Sequence, residues 1–466
     1  MKKSVVLAFV ALLSVACLTG CNGPHPMAWS PDGSKMAIVA SDGLRFGDAS
    51  GQLSAPVLRD VSALAWLPDS RHLLVAGTTN ITTWQAAQGY LTKDEQAQCA
   101  EVAKRLKVDL LSKKLKALDE DKELKDVPDR IAQGALLCLR DTEGKPYERQ
   151  LSAEAKALLG MARIEQHIVR NVDASAVSAD SGVELWRGFD SVENLVLSPD
   201  GRNVLLVRSP QEGTEVFAVE VLPTKPNSVP VKVAESAVNH VAWTPDSHSI
   251  VFVASDDRKR TDDPRLGVLE VLKIYGEDGL PLKAAEAPQK LVWLFVDSRT
   301  LLSCLKDGTI LFTGSDNQVP STEADLSHID TLFAVKPGDR FSKRLLSRAD
   351  AEQLGQISNL SVSPDDKTAA ICQSDKLILV DLASGKATQL SMNSDTIPSW
   401  RNGTEVSFAS RVQDKSANGH DYEVVLHSIL NGSDRAISAA WPKSAVDEFL
   451  IEKKDDSKMV LRQSRK

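Results

Sequence analysis

From Met27 the chain reads MAWSPDGSKMAIV, and nearly the same phrase returns as LVLSPDGRNVLLV from Leu195 and VAWTPDSHSIVFV from Val241. In each phrase a short apolar strand runs into Ser-Pro-Asp-Gly or a close variant. Serine suits the first position of a tight turn, proline presets φ at the second, and glycine accepts the left-handed conformation at the end. A second strand follows, β-branched and alternating. The phrase therefore reads as an antiparallel hairpin. Ser70, Ser247 and Asp366 stand where glycine would, so those turns are expected to be strained or differently closed.

Seven copies are legible. They start at Met27, Leu64, Leu195, Val241, Leu291 (LVWLFVDSRTLLSCL), Leu360 and Ile397. The fifth lacks the proline and carries one extra residue, and the seventh has Arg-Asn-Gly in place of Pro-Asp-Gly. Beyond the hairpins lie third strands such as TEVFAVEVL and KLILVDLASG, then shorter fourth ones such as VPVKVAE and KATQLS. Four strands per unit, recurring about every 37 to 50 residues, predict an all-β fold, a seven-bladed β-propeller. An eighth blade is the alternative, because LFAVKPGDRFSKRLL echoes the motif. A four-stranded sheet has two faces to bury, and radial stacking buries both. Trp29, Trp66, Trp243 and Trp293 are expected to pack between blades near the inner strand, where burying one such ring contributes roughly 2–3 kcal/mol.

The W-[ST]-P-D-G phrase with its alternating strand resembles the PD40, or TolB-type, WD40-like repeat. That resemblance covers about 330 residues, the span of a repeat array. It implies the propeller fold and leaves function open. Such propellers occur in periplasmic scaffolds, in the TolB component of the Tol–Pal envelope system, and as gating domains of prolyl-oligopeptidase-like peptidases. Here the first copy follows the N-terminal segment directly, with no α/β domain before it.

Two spacings break the period. Between the second and third copies, residues 88–176 read as a small α-helical insertion. Thr92 and Glu95 form a capping box, Cys99, Val102, Ala103 and Leu106 an apolar stripe, Pro128 a helix start, and Ser152 another cap. The charged KKLKALDEDKELKD between them reads as a solvated helix or loop. The second break, between the fifth and sixth copies, reads as an elaborated outer strand or loop. The expected organisation is a signal at 1–20, a lipidated tether at 21–26, blades at 27–87 and 177–440 flanking the insertion, and a tail at 441–466.

The N-terminal MKKSVVLAFVALLSVACLTGC has two lysines, an apolar run and small residues, the pattern of a secretory signal. Leu18-Thr19-Gly20-Cys21 resembles the bacterial lipobox, which implies cleavage before Cys21 and acylation of that cysteine. Asn22, where an aspartate would mark inner-membrane retention, leans towards the outer membrane facing the periplasm. The five residues after Cys21 reach at most roughly 18 Å, which keeps the propeller against the leaflet.

The formal net charge of −8 argues against nucleic acid as a partner. Four cysteines remain after Cys21. Cys99 and Cys138 fall on the two helices of the insertion and are either a disulfide, worth roughly 3–5 kcal/mol, or two buried thiols. Cys304 and Cys372 read as core thiols at equivalent second-strand positions. The sequence carries no G-x-S-x-G, H-E-x-x-H, C-x-x-C or Walker loop, and the aspartate of each P-D-G reads as a turn residue capping its own backbone. The chain is therefore read as a non-enzyme with no cofactor or metal.

Surface loops remain. Two polar ones, Ser255 to Gly267 and Ser410 to Glu423, offer Arg258, Lys259, Arg260, Asp262, Asp263, Lys415 and His420 as candidate partner-binding residues. The expected function is a membrane-anchored, non-enzymatic protein-interaction scaffold in the cell envelope, with envelope proteins as partners. The alternative is a propeller that binds or degrades a carbohydrate or small molecule at the mouth of its channel.

Overall fold

The computed structural model describes residues 27–446 apart from 112–126, 176–181, 210–215, 256–265, 283–285, 296–299, 317–330, 347–356, 374–375, 392–397 and 413–418. The signal, Cys21 and the tether lie outside the described residues.

The strands form seven antiparallel blades, each meandering outward from the channel. Blade 1 is β1 (Met27–Trp29), β2 (Met36–Ala40) and β3 (Gly43–Gly47), with isolated bridges at Leu53 and Leu58 in place of a fourth strand. Blade 2 is β4 (Val61–Trp66), β5 (His72–Ile81), β6 (Ile164–Asp173) and β7 (Val183–Gly188). Blade 3 is β8 (Val192–Leu197), β9 (Asn203–Arg208), β10 (Phe217–Pro223) and β11 (Val231–Ser236). Blade 4 is β12 (Ala242–Trp243), β13 (Ser249–Ser255), β14 (Leu266–Lys273) and β15 (Gln289–Phe295). Blade 5 is β16 (Leu302–Cys304), β17 (Ile310–Asp316), β18 (Thr331–Val335) and β19 (Lys343–Arg344). Blade 6 is β20 (Ile357–Val362), β21 (Thr368–Gln373), β22 (Lys376–Asp381) and β23 (Ala387–Ser391). Blade 7 is β24 (Ser399–Asn402), β25 (Glu405–Arg411), β26 (Tyr422–Ser428) and β27 (Ser433–Ala436).

Two-residue periodicity makes the ring. Side chains alternate across a strand, so each second strand feeds two cores. Leu73 and Val75 of β5 pack against blade 1, while Leu74 and Ala76 pack against blade 3. The same division recurs at all seven blade-to-blade contacts, the last joining Met27, Trp29 and Met36 to Val424, Leu426 and Trp441. Among the described residues blade 7 and blade 1 exchange no strand; side chains close the ring, with one backbone bond from Ser41 N to the Ser444 carbonyl at 3.2 Å. The Trp29 indole N–H donates to Ser407 Oγ at 2.9 Å, Arg401 Nε donates to the Gly33 carbonyl at 2.9 Å, and the Arg401 guanidinium lies over the Trp29 ring. A Cβ at Gly33, whose φ is +68°, would fall 2.6 Å from the Arg401 carbonyl, so only glycine fits. Residues expected as a tail contribute here as well: Trp441 Nε1 donates to the Gly51 carbonyl at 3.0 Å, and Val446 is buried.

The fifth copy is placed differently from its sequence reading. Trp293 sits half-buried on β15, the outer strand of blade 4, with Lys290 over its ring. The true fifth inner strand is β16, which pairs Cys304 with Ile310 around a Lys306-Asp307-Gly308 turn. Cys304 therefore occupies the place of a tryptophan and lies on an inner strand, not a second one. The echo at Thr331–Arg344 is the β18–β19 hairpin of blade 5, which leaves seven blades. Trp400 takes the fourth equivalent tryptophan place. Trp66, Trp243 and Trp400 donate their indole N–H to the carbonyls of Ala28, Val196 and Ser361, each one residue before the matching position of the preceding blade.

The helices of the insertion run Trp84–Gln88, Lys93–Leu111, Asp129–Glu148 and Ala153–Met161. Residues 164–173 belong to blade 2, so the helical segment begins and ends earlier than 88–176. The capping box forms: Glu95 N donates to Thr92 Oγ1 at 3.2 Å and Thr92 N to Glu95 Oε2 at 2.8 Å. Ser152 Oγ accepts from Ala155 N at 3.2 Å, and Pro128 precedes the third helix as its N-cap. The KKLKALDEDKELKD stretch lies outside the described residues.

Candidate functional site

All inner strands run the same way, so the residues that begin them gather at one end of the channel and the Pro-Asp turns at the other. At the turn end, Asp32, Asp200, Asp246 and Asp365 each take a hydroxyl hydrogen bond from the residue two before, and a backbone N–H from the residue two after. The Ser30 hydroxyl and the Ser34 N–H and hydroxyl hold the Asp32 carboxyl down at about 2. These carboxylates are consumed in holding turns.

The opposite end carries the helical insertion and a polar junction between blades. β5 and β6 continue beyond their blade there, pairing as far as Ile81 with Ile164, and the helical insertion rises from this ribbon. Its core, which includes Leu110, Ile131, Leu137 and Leu159, merges with Ile81 and Ile164 at the ribbon's tip. Trp84 N donates to Asp141 Oδ2 at 2.6 Å, and Arg140 donates to the Thr82 carbonyl, so charged side chains fix the entry to the body.

Beside the ribbon lies a polar junction of blades 2 and 3. Arg208 Nη1 donates to Asp190 Oδ2 at 2.6 Å, and Nη2 donates to Glu220. Ser191 Oγ donates to Glu193 Oε1 at 2.7 Å, and the Ser209 hydroxyl donates to the same oxygen. Asn194 Nδ2 donates across to the Asn239 carbonyl of the next blade at 3.3 Å. Burial lowers the His167 pKa against the opposing pull of Glu165, Glu193 and Asp190, so its ring is neutral at neutral pH. A nucleophilic serine needs a base positioned to activate it for attack. Here one carboxylate oxygen ties two hydroxyls, an arrangement that fixes the two loops to each other.

The inner strands begin with a recurrent irregularity. Pairing skips Ser62 in blade 2, Glu193 in blade 3 and Ser358 in blade 6, each the residue four before the tryptophan place. Such β-bulges re-aim a side chain and are common beside functional sites. Asn239 and Thr300 hold the same place in blades 4 and 5. The sequence signal for this ring was present, a polar residue at one offset in every copy, but it emerges only once the fifth copy is registered on Cys304.

Few of the loop residues expected at a partner site can be placed. Arg258, Lys259, Arg260, Asp262, Asp263 and Lys415 lie outside the described residues. His420 is 6% exposed and buried at the foot of its loop, so it is no part of an exposed binding surface. Cys99 and Cys138 are both buried free thiols, the second of the two readings. Burial pushes Cys99 up to about 11, with the neighbouring Cys138 adding to the shift.

Fold and site together define a seven-bladed β-propeller with a helical body at one end of its channel. No family model matches the chain, and no curated protein matches it. Solved structures similar to it include a TolB-type protein of Agrobacterium tumefaciens, with 15% identity and a TM-score of 0.35, over 55% of this chain and 84% of that one. A β-propeller domain from Myceliophteria thermophila has 9% identity and a TM-score of 0.43, over 82% and 92%. A puromycin-hydrolyzing peptidase of Mycobacterium tuberculosis has 14% identity and a TM-score of 0.40, over 59% and 43%.

Proposed function

We propose that this chain is a lipid-anchored, non-enzymatic propeller that holds envelope proteins together on the periplasmic face of the outer membrane. The observation that carries the reading is the helical insertion: a body with its own core, raised on a paired ribbon at the channel-mouth end of a rigid ring. Rigid scaffolds present binding segments in this way. Val108 is 65% exposed on helix Lys93–Leu111, an apolar side chain facing water. The Leu18-Thr19-Gly20-Cys21 segment supports the anchor, and a short tether holds the ring near the leaflet.

Two measurements in intact cells test this. Palmitate labelling is expected on the wild type and lost on Cys21→Ser. A photo-crosslinking residue at Val108 is expected to capture an envelope protein, whereas one at Lys225, on the opposite end of blade 3, is not. Absence of both labelling and capture would overturn the reading.

A further inference from the structure

The outer hairpin of blade 5 carries an aromatic ring and a run of cations into water. β18 and β19 pair Phe333 with Arg344 and Ala334 with Lys343, and Asp339 N closes the turn between them by donating to the Lys336 carbonyl at 2.9 Å. Lys336 Nζ reaches Asp307 Oδ2 at 2.7 Å, so the hairpin tip stands beside the inner turn of its own blade, at the turn end of the ring. Buried Leu345 and Leu346 root its base. Phe341 is 60% exposed, whereas Phe252, Phe312, Phe333 and Phe408 are all buried. Arg340, Lys343 and Arg344 flank it, three exposed cations within five residues, in a chain whose formal net charge is −8. The Asp381–Lys386 turn of blade 6 packs on the hairpin base, since a Cβ at Gly385 would fall 2.4 Å from the Leu345 carbonyl. Exposed Lys386 and Arg344 are the residues next to that contact.

Among the described residues, none of these four cations pairs with a carboxylate. The carboxylates of the two turns are engaged: Asp339 Oδ2 accepts from Lys336 N at 2.8 Å, and Asp381 Oδ1 from Ser384 N at 2.7 Å. Two of the cations are already oriented. The Arg340 guanidinium lies 5.2 Å from the Phe341 ring centroid, and the Arg344 guanidinium 5.7 Å from that of Phe333. Edge strands commonly carry lysine to block unwanted pairing, but that role calls for no exposed aromatic ring.

We infer that this patch docks an acidic segment of a partner protein, with an apolar side chain against Phe341 and carboxylates on Arg340, Lys343, Arg344 and Lys386. A guanidinium fork matches a carboxylate with two parallel hydrogen bonds, and complementary charge fixes register and speeds encounter. The small extent of the patch selects the occupant. A bilayer presents a plane, which would also meet the exposed Asp32, Asp200, Asp246 and Asp365 at the same end, and these repel an anionic surface. A narrow segment meets the patch alone. The site lies at the opposite end from the helical insertion, so capture at Val108 and docking here can each fail alone.

The test uses the full mature chain carrying Cys21→Ser, so that no lipid anchor can bring it to vesicles. Fluorescence anisotropy of a labelled peptide of repeating Glu-Glu-Leu is compared with a repeating Lys-Lys-Leu peptide, phosphatidylglycerol vesicles and duplex DNA. Saturable binding is expected for the acidic peptide alone, and it should weaken at about 0.5 M salt, where exposed charges are screened. Phe341→Ala, and Lys343→Gln combined with Arg344→Gln, are each expected to weaken it about tenfold. Val229→Ala, at the same end on blade 3, should leave it unchanged. All these side chains are exposed, so the near-ultraviolet circular dichroism of the wild type should be retained. No binding of the acidic peptide up to about 1 mM would overturn the inference, as would binding that neither patch variant weakens. Stronger binding of vesicles or DNA, lost in the same variants, would assign the patch to lipid or nucleic acid instead.

Discussion

The backbone N–H of Asp32, in the turn of blade 1, donates to Ser70 Oγ in the turn of blade 2 at 3.0 Å. The contact repeats every second blade. Asp200 N donates to Ser247 Oγ at 3.1 Å, and Lys306 N to Asp366 Oδ2 at 2.6 Å. The three acceptors are the residues that replace glycine in their turns. They adopt φ of 57°, 62° and 59°, the left-handed region expected from the sequence to strain them. The side chain that makes each turn strained is the one that ties it to the previous blade. In blades 1 and 3 the glycine remains, and at Gly201 a Cβ would meet Pro68 Cδ of the previous blade at 2.8 Å.

Ser70→Ala keeps the left-handed strain and loses the bond. It is expected to lower stability by about 1 kcal/mol, read from the urea midpoint at unchanged slope. Ser70→Gly loses the same bond but relieves about 1 kcal/mol of strain, so it should lie close to the wild type. Equal losses in both variants would show that the inter-blade bond alone matters.

Trp66 and Trp293 look alike in sequence and differ in place. Trp66→Phe removes an indole bond to the Ala28 carbonyl and leaves a cavity between blades, for an expected loss of about 2–3 kcal/mol. Trp293→Phe, on a half-buried outer strand, should cost about 1 kcal/mol or less. Chemical denaturation of the two variants compares them directly.

Asp32 and Asp307 both sit near 2, held there by Ser30 and by Lys336 respectively. A carboxyl depressed in the folded state contributes stability above its unfolded pKa, which is lost as pH falls through the folded value. Wild-type stability is therefore expected to decline from about pH 4 towards pH 2. The difference between wild type and Asp32→Asn should be full at pH 6 and vanish near pH 2, as read by thermal unfolding across that range.

Cys99 and Cys138 are thiols whose burial disfavours the reactive thiolate. Iodoacetamide at pH 8 is expected to leave both unmodified in the native protein and to label both after unfolding. A peptide pair joining 99 to 138 under non-reducing mass spectrometry would contradict this.

The architecture was legible because each blade spells its own hairpin, with Pro-Asp at the turn and an apolar strand on either side. It was obscured where chemistry and place diverge. LVWLF carries a tryptophan and an apolar run, yet it pairs with β14 as an outer strand, while the real fifth inner strand ends in cysteine before a proline-free turn. The insertion's caps were readable because capping is local. Its edges were not, because Ile164–Asp173 becomes a strand only by pairing with the distant β5. The bulged ring at the channel mouth depends on register between strands, which no single copy states. The glycine replacements predicted strain correctly, but their inter-blade bonds exist only once the ring is closed.

Ring closure without strand exchange is the feature on which the whole arrangement depends, and Trp29 reports it. Hydrogen–deuterium exchange of the indole N–H groups, followed by 15N-resolved spectra of tryptophan-labelled protein, measures it directly. Trp29 is expected to exchange as slowly as Trp66, Trp243 and Trp400, because its N–H is bonded to Ser407 of the last blade. Rapid exchange at Trp29 with the other three protected would mean that the first and seventh blades do not meet.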